Sequence, residues 1–458
     1  MLKTRLKNLL PVFIINYLTQ GNSRSIKAKK NIAFSFIIKG LSISISLFLV
    51  PLTIHYINPT RYGIWLTLSS IIGWLTFFDI GFGNGLRNKF AEAVAQGKHE
   101  LARIYVSTTY AILSIIIAFA LILFFIINPF LNWSKILNSP VDMAIELGLL
   151  ALVVFVFFCI QFVLQLITTV TTANQQPAKA SLFNFLGSLL SLTIIFILTK
   201  TTSGNLVYLA LVLGLMPVLV LSISTIWLYT HEYRRYAPAI KFVQFSYARD
   251  LMGLGVKFFV IQIAAVVLYQ SSNIIIAQLF GPAEVTPFNI AYQYFGVISM
   301  IMGTIMMPFW SAFTEAWIKK DFEWIRNSMR KLKIFWVILS VLTILMLFFS
   351  TYIYKIWVGK EIQVPMSISV VMAGYVIIYT WSSINGQFLN GVGKIKLQLI
   401  IAVIAGILNI PLAIFLGKQI GISGVLLANL ILGLIGVFIF QIQYRKIITN
   451  RATGIWNK

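Results

Sequence analysis

The chain is poor in acid, cysteine and histidine. Twelve Asp and Glu stand against 36 Lys and Arg, which leaves a formal charge of +24. The single cysteine, Cys159, rules out an intramolecular disulfide and any thiolate cage for a metal. The three histidines, His55, His99 and His231, fall at the ends of apolar runs or in loops, which suits interfacial roles and not metal binding, so no metal site is expected. There is no Walker A loop, no HExxH and no GxSxG. The Gly81–Gly85 cluster, GFGNG, lacks a strand–loop–helix setting and reads as a turn. No polar stretch is long enough to fold alone. These absences exclude the common soluble-enzyme chemistries, and no enzymatic activity is expected.

What is present is hydrophobicity. Apolar residues make up 59% of the chain, in runs long enough to cross a bilayer, which takes roughly 20 residues of helix. Twelve such runs are predicted: Ile32–Ile57, Tyr62–Phe82, Ile104–Ile127, Met143–Thr169, Ala180–Leu198, Leu206–Tyr229, Phe258–Phe280, Phe288–Phe309, Ile334–Trp357, Met366–Leu389, Leu397–Leu416 and Ile420–Tyr444. Trp65, Trp133, Tyr352 and Trp357 fall near one set of run ends, and Trp227 and Tyr444 near the other, as interfacial aromatic belts do. Pro51, Pro217, Pro308 and Pro411 lie inside runs, where they bend helices and release backbone groups. An all-α integral membrane protein follows.

The excess of base is not spread evenly. If the N-terminus is cytoplasmic, 29 of the basic residues fall on the inner side and only 6 (Arg61, Lys135, Lys200, Lys355, Lys360 and Lys418) on the outer side. Positive-inside asymmetry therefore places both termini in the cytoplasm. Topology and attraction to anionic membrane lipids account for the charge, and no nucleic-acid partner is expected. Leu9–Leu18 is short, contains Pro11, and is followed by the polar Gly21–Lys30, so with Lys3, Arg5 and Lys7 it reads as a surface-lying segment and not a cleavable signal.

The sequence also repeats itself. A shift of 223 residues carries Pro59 onto Pro282, Phe90, Glu92 and Ala93 onto Phe313, Glu315 and Ala316, and Glu100 and Arg103 onto Glu323 and Arg326. Each copy follows the second span of its half. Six spans separate the copies, so both halves cross in the same sense, about an axis along the membrane normal. The expected divisions are a basic N-terminal segment (1–31), two six-helix bundles (32–240 and 241–444) and a tail (445–458).

Ionisable residues at membrane depth are functional candidates. Lys39 lies in the first span and Asp79 in the second at similar depth, and antiparallel packing would pair them, either as a transport site or as a structural ion pair. Their 223-shifted counterparts are Gln262 and Met302, so the pair is not duplicated. Polar stripes at helical spacing form a second group of candidates. Lys39, Ser42, Ser46 and Thr53 share a face, as do Gln161, Gln165, Thr168 and Thr172; Gln262, Gln270 and Asn273 lie broadly on one side, and the tenth span carries Trp381, Ser383, Asn385, Gln387 and Asn390. Such stripes either line a watery cavity or join helices by hydrogen bonds.

The segment NIAFSFIIKGLSISISLFLVPLTIHYINPTRYGIW, then FFDIGFGNGLRN, the repeated FxEA loops and NGVGKIKLQ resemble the polysaccharide transporter family, which includes the Wzx-type flippases of the multidrug/oligosaccharidyl-lipid/polysaccharide exporter superfamily. The resemblance covers essentially the whole chain. It implies a V-shaped pair of six-helix bundles that open alternately to each side, and a cargo of undecaprenyl-diphosphate-linked oligosaccharide moved from the cytoplasmic to the periplasmic leaflet of a bacterial inner membrane. A polysaccharide polymerase and a chain-length regulator would then be partners of an expected monomer. No cofactor is expected beyond coupling to a proton or sodium gradient or to the membrane potential. Arg87, Lys89, Arg249 and Lys257 become candidates to collect the diphosphate at the cytoplasmic mouth. The alternatives are a drug/cation antiporter of the same superfamily and, from another class, a membrane polysaccharide polymerase or ligase. The outer loop at Asn128–Asp142 is short for such an enzyme.

Overall fold

In a computed structural model, residues 23–75, 81–174, 176–252, 270–306 and 309–457 are described, and they are helical almost throughout. The N-terminal half contains α1 (Ser23–Ile57), α2 (Pro59–Gly73), α3 (Phe82–Ala95), α4 (His99–Ile127), α5 (Ala144–Leu164), α6 (Leu166–Ala173), α7 (Pro177–Thr201) and α8 (Leu206–Thr230). The C-terminal half contains α9 (270–280), α10 (Val285–Met306), α11 (Phe309–Ile318), α12 (Phe322–Trp357), α13 (Met366–Val392), α14 (Lys396–Ile420) and α15 (Ile422–Ile448). Among the described residues, nine helices are long and apolar enough to cross a membrane. Of the three other expected spans, Tyr62–Phe82 overlaps α2 as far as Gly73, Phe288–Phe309 overlaps α10, and Phe258–Phe280 overlaps α9 over 270–280, its earlier residues lying outside the described ones. The molecule is a two-lobed all-α membrane protein.

Local chemistry sets the helix ends. Asn58 leaves the helical region at φ 72°, its side chain accepts the Arg61 N–H at 3.0 Å, and Pro59 opens α2 where no N–H is needed. Asn205 and Asp321 cap α8 and α12 in the same way, at 3.0 Å from Tyr208 and Trp324 N–H. Pro51, Pro217 and Pro411 sit inside α1, α8 and α14. Pro308 lies outside the described residues.

The 223-residue shift is written into the backbone. Gly97 and Lys320 both take positive φ, 73° and 56°. Around them the same three bonds recur: Gly97 N–H to Val94 and Lys320 N–H to Trp317 at 3.1 Å, Lys98 to Ala93 and Asp321 to Ala316 at 2.9 Å, and His99 to Gly97 and Phe322 to Lys320 at 3.0 Å. Asn58 and Gly281 are likewise paired at φ 72° and 96°. α4 and α12 begin at equivalent positions, and α3 packs on α6 as α11 packs on the end of α13.

The halves meet toward the end of the bilayer that carries few basic loops. There α2 touches the turn at Pro282 and α10. Thr286 donates to Pro59 O at 2.6 Å, Asn138 to Ala277 O at 2.9 Å, Gln278 to Ile136 O at 2.5 Å and Trp357 Nε1 to Leu47 O at 2.7 Å. Gly63 allows this approach: a Cβ there would stand 1.7 Å from Pro282 O. At the base-rich end, the connecting segment 231–252 packs on the N-terminal half. Arg103 donates to Ala237 O at 2.9 Å, Ala239 N–H to Ser107 at 3.1 Å, and buried Leu251 lies against Gly85. Tyr233 anchors the start of this segment through Asn174 at 3.1 Å, and burial pushes its hydroxyl up to about 12.

Candidate functional site

Two neighbouring cavities lie along the seam between the halves. The first, about 260 Å³, is lined by Ser70 of α2, Gln270, Ser272 and Asn273 of α9, Asn289 and Tyr292 of α10, Tyr375 of α13 and Asn429 of α15. The second, about 390 Å³, shares Tyr292 and Tyr375 with it and adds Ser46 of α1, Gln293, Ser299 and Tyr379. Together they form one uncharged cleft with a chain of amides along part of its wall. Asn273 donates to Ser70 Oγ at 2.8 Å, Asn289 to Asn273 Oδ1 at 2.8 Å, Asn429 to Ser272 Oγ at 3.1 Å and Asn409 to Asn429 Oδ1 at 2.5 Å. Ser46 crosses the seam to Gln293 at 3.2 Å. No described residue lining these two cavities carries a charge. Such a wall offers both donors and acceptors, fixed in place by mutual hydrogen bonds. It can exchange hydrogen bonds with a neutral polyol without stripping water from an ion.

A third cavity, about 480 Å³, belongs to the N-terminal half alone. Arg87 and Asn84 of α3 face Gln165, Thr168, Thr169 and Thr172 where α5 gives way to α6. The break arises locally. Thr168 returns both its N–H (2.9 Å) and its hydroxyl (2.7 Å) to Gln165 O, and Thr172 returns its hydroxyl to Thr168 O at 2.7 Å, bonds that bend helices. α3 begins here after Gly81 at φ 84°, so the positive end of its dipole points to the same region as the Arg87 guanidinium. This cavity combines an exposed arginine, two amides and hydroxyls, a donor set suited to phosphate oxygens.

Four of the residues singled out from the sequence line these sites. Gln270 and Asn273 line the seam cleft, and Arg87 and Gln165 line the third cavity. Lys39 is exposed on α1, seven residues from Ser46 and so on the same face, about 10 Å nearer the base-rich end. Gln161 is half-buried one turn before Gln165 and lines none of these three cavities. Lys89 is held by Glu92 at 3.2 Å, and that hydrogen bond raises its pKa. Arg249 is exposed on the short helix Ala248–Met252, which packs on α3. Asn385 is fully buried inside the C-terminal half, its amide atoms without a partner among the described residues, and lines none of these three cavities. Asp79, Lys257 and Gln262 lie outside the described residues. Sequence reasoning passed over Asn289, Gln293 and Asn429. The first two stand at i and i+4 with Tyr292 between them, and Gly296 and Ser299 extend that stripe, so their periodicity was a usable signal.

Residues 28–313 match the polysaccharide biosynthesis protein family, and residues 258–415 match the MatE family. A Yersinia pseudotuberculosis protein named "Putative O-antigen export protein" is 21% identical over 426 residues, covering 90% of this chain and 93% of that protein. A Salmonella typhimurium "Putative O-antigen transporter" is 24% identical over 413 residues, covering 88% and 93%. Among solved structures, an inward-facing multidrug resistance MATE family transporter of the MOP superfamily superposes with a TM-score of 0.67 at 14% identity, covering 92% of this chain and 96% of that one. The fold is therefore that of MATE transporters.

Proposed function

The chain belongs to the polysaccharide biosynthesis protein family, and from that premise we propose that it is a flippase for undecaprenyl-diphosphate-linked oligosaccharide. The relatives named as O-antigen export proteins support the export of such glycans. The observation that carries the reading is the division of labour between cavities. The seam cleft is walled by neutral amides and phenols, suited to sugar hydroxyls. The Arg87 cavity is a cationic pocket suited to the diphosphate. The lipid tail stays in the bilayer, so only the polar head needs a path. Lys39, on the cleft face of α1 toward the base-rich end, attracts the diphosphate as it enters. Loading occurs at the cytoplasmic, base-rich end and release at the periplasmic end, by alternating access of the two halves. A proton or sodium gradient, or the membrane potential acting on the charged head group, supplies the drive. The flippase hands its product to a polysaccharide polymerase and chain-length regulator in the inner membrane.

The test is complementation of a deletion strain at matched protein level. Wild type restores polymerised surface glycan. Arg87→Ala leaves lipid-linked repeat units on the cytoplasmic leaflet. Intact glycan in the deletion strain, with altered resistance to cationic drugs, would overturn the proposal in favour of an antiporter.

A further inference from the structure

Outside the cleft, α12 and α15 form another groove. A cavity of about 380 Å³ has Arg326, Arg330 and Lys333 of α12 on one side, Ile334 and Val337 beside them, and Tyr444 of α15. α12 has 36 residues, so it is about 54 Å long. The hydrocarbon core is only about 30 Å thick. The exposed apolar side of α12, with Ile338, Val341 and Leu345 each at least half exposed, accounts for that core. Its first turns then stand at the depth of the headgroups. Arg326, Arg330, Lys333 and Val337 recur at helical spacing and share one face, which the apolar side continues toward the membrane interior.

Among the described residues, the three cations have no carboxylate partner. The ion pairs among the described residues are Arg61–Glu146, Lys89–Glu92 and Lys179–Glu232. Lys333 is held in the groove by Gln441 at 3.3 Å and by the rings of Trp381 and Tyr444, each 5.3 Å away. The duplicated half shows what the same surface looks like when protein covers it. There the counterpart of Arg326 is Arg103, which lies against Ala237 and 4.3 Å from the centre of the Phe242 ring. The counterpart of Arg330 is Ser107, bonded to Ala239, and that of Lys333 is Tyr110, which accepts from the Tyr229 hydroxyl at 3.4 Å. Where the connecting segment and α8 cover the groove, the lower positions are a serine and a tyrosine. Where the groove is open, they are an arginine and a lysine.

We infer that this groove binds the phosphate headgroup of an anionic membrane phospholipid, with the acyl chains lying along Ile334, Val337 and Ile338. Basic pockets between membrane helices suit such headgroups, because each cation near the surface adds attraction while the tails stay in hydrocarbon. The inference does not depend on the transport reading.

The test uses delipidated full-length protein in detergent, titrated with phosphatidylglycerol, cardiolipin or phosphatidylcholine, with bound lipid counted by native mass spectrometry. The two anionic lipids should bind at least about tenfold more tightly than phosphatidylcholine. The combined variant Arg326→Gln, Arg330→Gln, Lys333→Gln should lose that preference. Removing equal charge elsewhere at the base-rich end, with Arg234→Gln, Arg235→Gln and Lys241→Gln, should preserve it. Val337→Trp fills the groove with every charge intact and should also lose the preference, so it decides the matter if the triple variant fails to fold. Equal loss in the two triple variants, or a preference that survives Val337→Trp, would overturn the site. So would groove-dependent binding of undecaprenyl phosphate in preference to phosphatidylglycerol.

Discussion

Where α3 meets α6, the N-terminal half keeps a cavity of about 480 Å³ with Arg87, Gln165 and Thr168 on its walls. At the 223-related junction of α11 and α13 the same three positions are Trp310, Phe388 and Gly391. The space there is packed. Phe388 and Phe313 are fully buried and meet edge to face at 5.5 Å, and Phe388 meets Tyr444 at 5.1 Å. One scaffold thus holds an open pocket with an arginine on its wall in one copy and an aromatic core in the other. A duplicated membrane fold needs tight packing to hold its helices together, since lipid competes equally for apolar side chains. It needs a polar pocket only where cargo is handled. Specialisation of one copy leaves the other free to supply rigidity.

The comparison can be broken from either side. Truncating the packed copy with Phe388→Ala should cost about 3–5 kcal/mol in unfolding of the detergent-solubilised protein, whereas Gln165→Ala at the open counterpart should stay within about 0.5 kcal/mol. Transplanting the C-terminal contents into the open pocket, with Arg87→Trp and Gln165→Phe, should leave the protein in the membrane and cut glycan export about 10–100-fold, the range expected for lost charge-assisted hydrogen bonds. Gly391→Ala should destabilise by about 1–3 kcal/mol, because the new Cβ would lie 2.8 Å from Phe313 and 2.9 Å from Trp310 O, while Thr168, its counterpart, already carries a side chain into open space. Asn385→Leu should stabilise by about 1 kcal/mol and leave export unchanged: its amide is buried without a partner among the described residues, and its counterpart is the apolar Phe162. Thermal unfolding and surface-glycan assays on each variant check these values.

Reading the chain alone brought some of this within reach. The spans were legible because hydrocarbon requires runs of apolar residues: α4, α7 and α8 lie where hydropathy puts them, and α12 contains its expected run Ile334–Trp357 but begins earlier, at Phe322. The stripe Gln165–Thr168–Thr172 was legible as a face, and the repeat at Phe90 and Phe313 as a duplication. The partner of that stripe was not. Arg87 looked like one loop base among several, and only the packing of α3 on α6 separates it from Lys89, which Glu92 engages. Asn385 showed the same surface chemistry as Asn273, yet one faces the interior of a bundle and the other the seam. Helical periodicity defines which residues share a face and carries no record of what that face meets.

Membrane residence, the places of the spans, the in-phase duplication and the asymmetry of basic loops are therefore properties of the sequence itself. Each follows from a local rule: apolar length against bilayer thickness, or charge counted loop by loop. The amide chain from Ser70 through Asn273 to Asn289, the contact of Gly63 with Pro282, and the open and filled versions of one pocket belong to the tertiary structure. They join residues up to more than 200 positions apart, and no local rule acts over that separation. Only the docking of one half against the other brings those groups within hydrogen-bonding distance.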